Sequence, residues 1–564
     1  MQRILFIFVV ALCFYQAKGQ SDSQISKAYQ IFETRGEVYF RFSYPLEGRK
    51  SPVLKQISID KLENGMVYAY ANRKEFETIM NQVNGLEMLT APSLLTEPVM
   101  AKNLKEVQAW NVYPTYDHYV AMMDSFVNAH PTLCRKEVIG TTVNGRQLLV
   151  LKISDNVTQR ESEPEFLYTS TMHGDELTGA ILTLRLVDYL LTNYGTNPEV
   201  TALVDSTEIW INPLANPDGT YFLGNNTVSG AIRYNGNYVD LNRNFPDTQN
   251  GDHPDGNAWQ PETMAWMDFL SQHTFVMSAN FHGGAEVMNY PWDKFTQLHA
   301  DDDWFQLVSR EFVDTIHVFN STGYMTDLEN GITNGNAWYE IDGGRQDYET
   351  YFHHGREITI EISNDKNPPA NQLPDFWNWN YRSLINYVKQ VNYGIHGIVT
   401  DSVTGEPLRA YIEVLQHDID SSQIYSDLPH GNYYRLIKEG TYNLRFSSPE
   451  YITKIISGVH VTDFETTYLD VQLVKAIQGV SSGSLNKVGV FPNPSDGHIT
   501  ITTGNLLSCR YEILSLEGNV IASGNSDKGE EFQVDITGFT SGVYLVKVLN
   551  KNGIAYSKVV KTNH

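Results

Sequence analysis

Strand-like and helix-like segments alternate through the middle of this chain, and that order limits the fold more than any other feature. Strand-like runs at Gln147–Ile153, Glu208–Ile211 and Thr274–Met277 are separated by segments of helical periodicity at Leu177–Asn193 and Pro261–His273. The alternation predicts an α/β domain with a mixed central sheet and flanking helices, in which ligands gather at strand ends. His282 follows directly after the third of these strands.

Composition and pattern divide the rest of the 564 residues. Residues 1–19 read as a signal peptide, with Arg3, an apolar stretch from Ile4 to Tyr15 and a small-x-small site at Ala17-Lys18-Gly19. That stretch is too short for a membrane span, and no other stretch reaches the required length. Residues 20–105 predict a small α+β unit, with strand-like Glu37–Tyr44 and Met66–Ala71 and helix-like Lys74–Val83. The α/β region is placed at 110–394. Beyond it, residues 395–473 lose helical periodicity and predict a β-sandwich, 474–485 form a Gly/Ser linker, and 486–564 predict a second β-sandwich. Past the signal peptide only Cys134 and Cys509 remain, in different domains, so no disulfide framework is expected. A formal charge of −25 argues against nucleic acid as a partner.

The chemistry lies in the α/β region. His173 and Glu176 form a His-x-x-Glu unit that His282 answers, and two imidazoles with one carboxylate are the ligand set of a catalytic zinc. Among 16 histidines such a pair also arises by chance as a surface feature at a helix start. A second group strengthens the reading. Asn242 and Arg243 place an amide beside a guanidinium fork, suited to the terminal carboxylate of a peptide. Arg233 is a fixed cation suited to an oxyanion. Glu361 puts one acid into the β-branched run Thr359–Ile362, and a charge in a strand interior needs a reason. It is the natural general base.

These motifs occur together and in order: His173-x-x-Glu176, Asn216-Pro-Asp-Gly219, Arg233–Phe245, Gln260-Pro-Glu-Thr263, His282–Asp293, Asn334–Asp347 and Glu357–Glu361. In them the region resembles a zinc metallocarboxypeptidase of the funnelin family, in its N/E regulatory branch. The resemblance implies one Zn²⁺ held by His173, Glu176 and His282, with Asp240 orienting His173. It implies further that Asn242 and Arg243 hold the substrate carboxylate, Arg233 polarises the carbonyl, Tyr339 closes over the peptide and Glu361 is the base. Asp293 and Gln346 fall where the basic-specific branch keeps polar groups at the floor of the specificity pocket, so the released residue is expected to be Lys or Arg. Asp293 also has an alternative role as a cap of the following segment.

Two departures bear on that pocket: Arg345 stands where the branch usually has Met, and Ala285-Glu286 replace a small polar and apolar pair. A cation beside the pocket weakens a preference for basic residues, whereas an inward Glu286 restores it. The acidic runs Asp247–Gly256 and Asp301-Asp302-Asp303 lack the spacing of a calcium loop and read as solvated turns. The 20–105 unit resembles the prodomain of pancreatic-type carboxypeptidases or is an accessory domain, and Lys102 and Lys105 in the segment after it suit a trypsin-like protease. The 395–473 unit resembles the transthyretin-like domain of the N/E branch. The last module resembles the C-terminal sorting domain of type IX secretion cargo, which implies that secretion machinery as a partner and a secreted or outer-membrane-attached protein. Peptide C-termini are the implied substrate. The rival readings are a zinc amidase acting on cell-wall peptides and an inactive peptide-binding scaffold.

Overall fold

A computed structural model describes residues 22–43, 53–476, 488–503, 508–516, 518–527, 531–550 and 553–562. The expected signal peptide and most of the expected linker lie outside them. The chain forms two compact units, Met1–Val474 and Lys475–His564.

The first unit begins with a four-stranded antiparallel sheet of β1 (Glu37–Ser43), β2 (Ser58–Glu63), β3 (Met66–Asn72) and β4 (Asn84–Leu89), in the order β2-β3-β1-β4. Strand alternation sends Val38, Phe40 and Phe42 towards Ala28, Phe32, Phe76 and Ile79 of the two helices at 22–35 and Arg73–Ile79. Asn72 and Glu75 start the second helix with reciprocal capping bonds, and it ends at Ile79, short of the expected Val83. The opposite face carries Tyr39 and Tyr70, which pack with Tyr234 of the larger α/β domain. Both faces of this small sheet are therefore buried, one of them against its neighbour.

The α/β domain is built on an eight-stranded mixed sheet: β5 (Cys134–Thr141), β6 (Gln147–Ile153), β7 (Glu165–Ser170), β8 (Glu208–Asn212), β9 (Phe275–His282), β10 (Ala285–Tyr290), β11 (Ile332–Asn334) and β12 (Arg356–Ser363). Their order is β11-β10-β12-β9-β7-β8-β6-β5, with β12, β9, β7 and β8 mutually parallel. Leu149, Leu151, Phe166 and Tyr168 face the helices Thr178–Asn193, Asp302–Phe319 and Leu373–Lys389. The alternate residues Val150 and Leu167 face Pro261–Ser271 on the other side. β9 runs past Met277 to His282, further than its apolar run suggested. The reason is that its polar residues are satisfied: Ser278 Oγ and Asn280 Nδ2 donate to Glu357 on β12, at 2.7 and 2.9 Å.

Two sheets follow, one containing Gly394–Asp401 and Asn432–Arg435, the other Tyr411–Val414, Gly440–Ser447 and Lys454–Val461. Ile395, Val399, Ile412, Val414, Leu444 and Phe446 fill one core between them. This β-sandwich grips the α/β domain through Asp301, which corrects the solvated-turn reading. Asp301 is wholly buried and accepts from Arg356, from both terminal nitrogens of Arg435 at 2.9 and 2.8 Å, and from His417 at 2.8 Å. Its two guanidinium partners hold its carboxyl well below the usual range although burial pushes it up. Asp247 is likewise buried, accepting from the backbone N–H of Gln249, Asn250 and Gly343.

The second unit pairs a three-stranded and a four-stranded antiparallel sheet around Ile499, Ile501, Ile513, Val534, Val546 and Val548. No helix among the described residues is long and apolar enough to cross a membrane.

Candidate metal centre and peptide cleft

β7 ends at Ser170, and the turn into the helix Thr178–Asn193 carries His173 and Glu176. The turn is tight: a Cβ on Gly174 would lie 2.4–2.5 Å from the backbone of Gly219 and Thr220. Asn216 braces the same turn, its Nδ2 donating to the carbonyls of Met172, Arg233 and Tyr234. His282, the last residue of the parallel neighbour β9, completes the group. The Nδ1 atoms of His173 and His282 are 2.9 Å apart, and each lies 2.9–3.1 Å from the Glu176 carboxylate. His173 Nε2 lies 3.1 Å from Asp240 Oδ1.

Asp240 starts the short turn Leu241–Arg243, accepting from Asn242 N at 2.9 Å, and its other oxygen takes Arg233 Nε at 3.1 Å. Burial pushes Asp240 up, but Arg233 and His173 hold it well below the usual carboxylate range. Arg233 also approaches Glu176, at 3.5 Å. Glu361, on β12 opposite His282, lines the same cleft, and its Oε2 has no hydrogen-bond partner among the described residues. Burial, then the nearby Glu176, raises it well above the usual range.

The cleft continues past Asn242, Arg243 and Tyr339 to Asp293. The Oδ1 of Asn242 accepts from Arg345 N, which aims its amide nitrogen away from that bond. Asp293 Oδ1 accepts from Asn289 Nδ2 and Gln346 Nε2, both at 3.1 Å, while Gln346 Oε1 takes Thr359 N at 2.7 Å. Burial pushes Asp293 up to about 6. Asp293 therefore lines the cleft, and among the described residues its donors are the side chains of Asn289 and Gln346; Asp347 is the acid that accepts from the backbone N–H of Asp293 and Lys294.

Both departures lie outside the cleft. Arg345 is fully buried outside the cleft, bonded to Thr169 Oγ1, 3.0 Å from Glu357 Oε2 and stacked on Trp266, so its charge is neutralised within the domain. Glu286 does not line the cleft; it accepts from the backbone of Met325 and Asn364.

The small N-terminal sheet covers this cleft. Its edge strand β2 places Ser58 on Asp240 and Asp60 on Lys366 Nζ, 2.9 Å away. Glu37 accepts from Arg233 N at 2.9 Å, and Arg35 donates to the carbonyls of Gly230 and Ala231. Tyr339 packs against the core of the N-terminal sheet. With β2 in place the space left beside the metal group is about 20 Å³, no more than a water or two.

Residues 119–383 match the model of the zinc carboxypeptidase family, and 489–562 match that of a secretion system C-terminal sorting domain. Carboxypeptidase M of Mus musculus is 38% identical over 354 residues, 59% of this chain and 78% of that protein. The chain belongs to the zinc carboxypeptidase family. The catalytic chain of carboxypeptidase N from Mus musculus is 35% identical over 399 residues, covering 64% of this chain and 86% of that protein. Carboxypeptidase D of Anas platyrhynchos is 40% identical over 364 residues, 60% of this chain and a quarter (25%) of that longer protein.

As in a zinc carboxypeptidase, the donor set suits a dication. With the ring proton of His173 on Nε2 facing Asp240, its Nδ1 is a lone pair aimed at a second imidazole and a carboxylate, a cluster that only a shared cation or proton stabilises. All three residues are buried, and burial pushes His282 down to about 4, so it stays neutral and able to ligate. Reading the motifs missed Lys366, whose Nζ is 2.7 Å from Glu176 Oε1 and 3.0 Å from Gly283 O. It gave no role to Asp347, Asn289 and Glu357, although all three stand within those motifs. Lys366 stands five places after Glu361, close enough to have been flagged as a lone cation beside a carboxylate-rich site; Asp60 carries no signal of its own.

Proposed function

We propose that this protein is an exported zinc carboxypeptidase that releases one L-amino acid, Lys or Arg, from peptide C-termini. One observation carries the reading: Glu361, with a free carboxylate oxygen, shares a cleft with His173, Glu176 and His282 and with the carboxylate-binding pair Asn242 and Arg243. His173, Glu176 and His282 would hold the zinc, which supplies Lewis acidity and an acidified water. Glu361 takes a proton from the attacking water and returns it to the amine as the C–N bond breaks. Arg233, oriented by Asp240, stabilises the negative charge on the former carbonyl oxygen. Asn242 and Arg243 fix the terminal carboxylate, Tyr339 covers the peptide, and Asp293, braced by Gln346, meets the cationic side chain.

The N-terminal domain, about 20–105, acts as a prodomain, supported by the contacts of Ser58, Asp60 and Glu37 at the site. The β-sandwich of 395–473 stiffens the catalytic domain through Asp301, and the last module directs export by type IX machinery. Release of amino acids by the chain after limited trypsin treatment, from peptides that differ only in their last residue and with and without a zinc chelator, tests the reading. Turnover of Lys- and Arg-ending peptides that chelation abolishes is expected; preference for Phe or Glu would remove the basic specificity, and no release would remove the activity.

A further inference from the structure

Lys366 is a buried cation that the catalytic scheme leaves without a task. It touches neither the pair Asn242 and Arg243 nor the pocket residues Asp293 and Gln346, and sits instead on the Glu176–Gly283 flank of the metal group. The last residue of a bound peptide has its carboxylate and side chain claimed by the first flank, so the chain before the scissile bond must leave across the other. In the intact protein that exit is filled by β2. Its pairing with β3 shifts register between Ile59 and Lys61, which leaves Asp60 unpaired on the strand and aimed at Lys366. Tyr39 OH donates to the second oxygen of Asp60 at 2.8 Å, and the Tyr70 ring lies 5.4 Å from Lys366 Nζ. Of the two carboxylates on the ammonium, Glu176 belongs to the metal group, and Asp60 alone departs with the N-terminal domain.

Resting on the carboxypeptidase reading, we propose that Lys366 is the specificity residue for the acyl side of the substrate, selecting an acidic penultimate side chain, and that Asp60 occupies its subsite as a substrate mimic. A carboxylate at that position of a peptide replaces Asp60 on the same ammonium, whereas alanine leaves Lys366 with Glu176 but without its second carboxylate.

The test compares acetyl-Ala-Asp-Lys with acetyl-Ala-Ala-Lys on the full chain after limited trypsin treatment. The expected result is a kcat/KM about tenfold or more higher for the Asp peptide, mainly through KM, falling to within about twofold of unity in Lys366→Met. Equal rates in the wild type overturn the proposal, as does a preference that survives Lys366→Met. Cleavage of neither peptide overturns the carboxypeptidase reading along with it. Because Lys366 also holds Glu176, its loss can disturb folding or metal binding, so product inhibition of the wild type gives a second measure. Acetyl-Ala-Asp should bind about tenfold tighter than acetyl-Ala-Ala, and equal inhibition refutes the subsite.

Discussion

Arg345 and Glu357 form an ion pair at 3.0 Å with both side chains completely buried, 12 residues apart in sequence. Ser278 and Asn280 donate to the same carboxylate, one to each oxygen. The cation that sequence placed beside the cleft is thereby a structural charge inside the domain, whereas Asp293 lines the cleft itself.

Arg345→Met should therefore destabilise the protein, by about 3 kcal/mol, because it strands a buried carboxylate. It should leave the preference between Lys- and Leu-ending peptides unchanged. Denaturant midpoints and paired rates measure the two effects, and a sharpened basic preference would place Arg345 in the pocket after all.

Asp293→Ala should remove the preference for basic residues, costing Lys- and Arg-ending peptides about 100-fold or more in kcat/KM while Leu-ending peptides change little. Without the carboxylate the substrate cation enters the cleft unpaired. A uniform loss across all peptides would assign Asp293 a purely structural role.

The same carboxyl gives a pH dependence. Burial raises its folded value to about 6 from the ordinary 3.8. It is therefore neutral in the free enzyme below about 6, and the basic preference should fade as pH drops through that value and strengthen above it. For stability the sign is opposite: the folded state binds the extra proton between the two values, so this group's contribution falls as pH rises through that window. Ratios of kcat/KM for Lys- and Leu-ending peptides at pH 5 and 7.5 decide it, and a flat ratio would show that Asp293 stays ionised.

Glu361→Gln should keep one zinc per chain yet lose about 10²–10⁴-fold in turnover. Metal analysis alongside rates separates a base from a ligand: loss of zinc from the variant would move Glu361 into the metal group.

Cleavage near Lys102 or Lys105, both exposed, should raise activity roughly tenfold or more, since β2 leaves about 20 Å³ beside the metal group. Rates before and after limited trypsin treatment, with intact mass to locate the cut, check this. An unchanged rate with the N-terminal domain released would make it an accessory domain.

What the sequence determined by itself was local chemistry and its order. Alternating strands and helices marked the α/β domain, and β6 was legible to its ends because Leu148–Leu151 is an unbroken apolar run that Ile153 extends past Lys152. The identity and spacing of His173, Glu176, His282 and Glu361 pointed to the metal group because ligand chemistry resides in the side chains themselves. Tertiary structure alone decided which charges are available. Asp301 looked like a solvated turn until Arg435, 134 residues away, neutralised it; Arg345 looked like a pocket cation until Glu357 on the neighbouring strand took its charge. Asp60 is an ordinary strand acid until folding sets it on Lys366. The physical reason is common to all three. A charge acts through what surrounds it, and burial and long-range pairing set those surroundings only once distant segments have packed together.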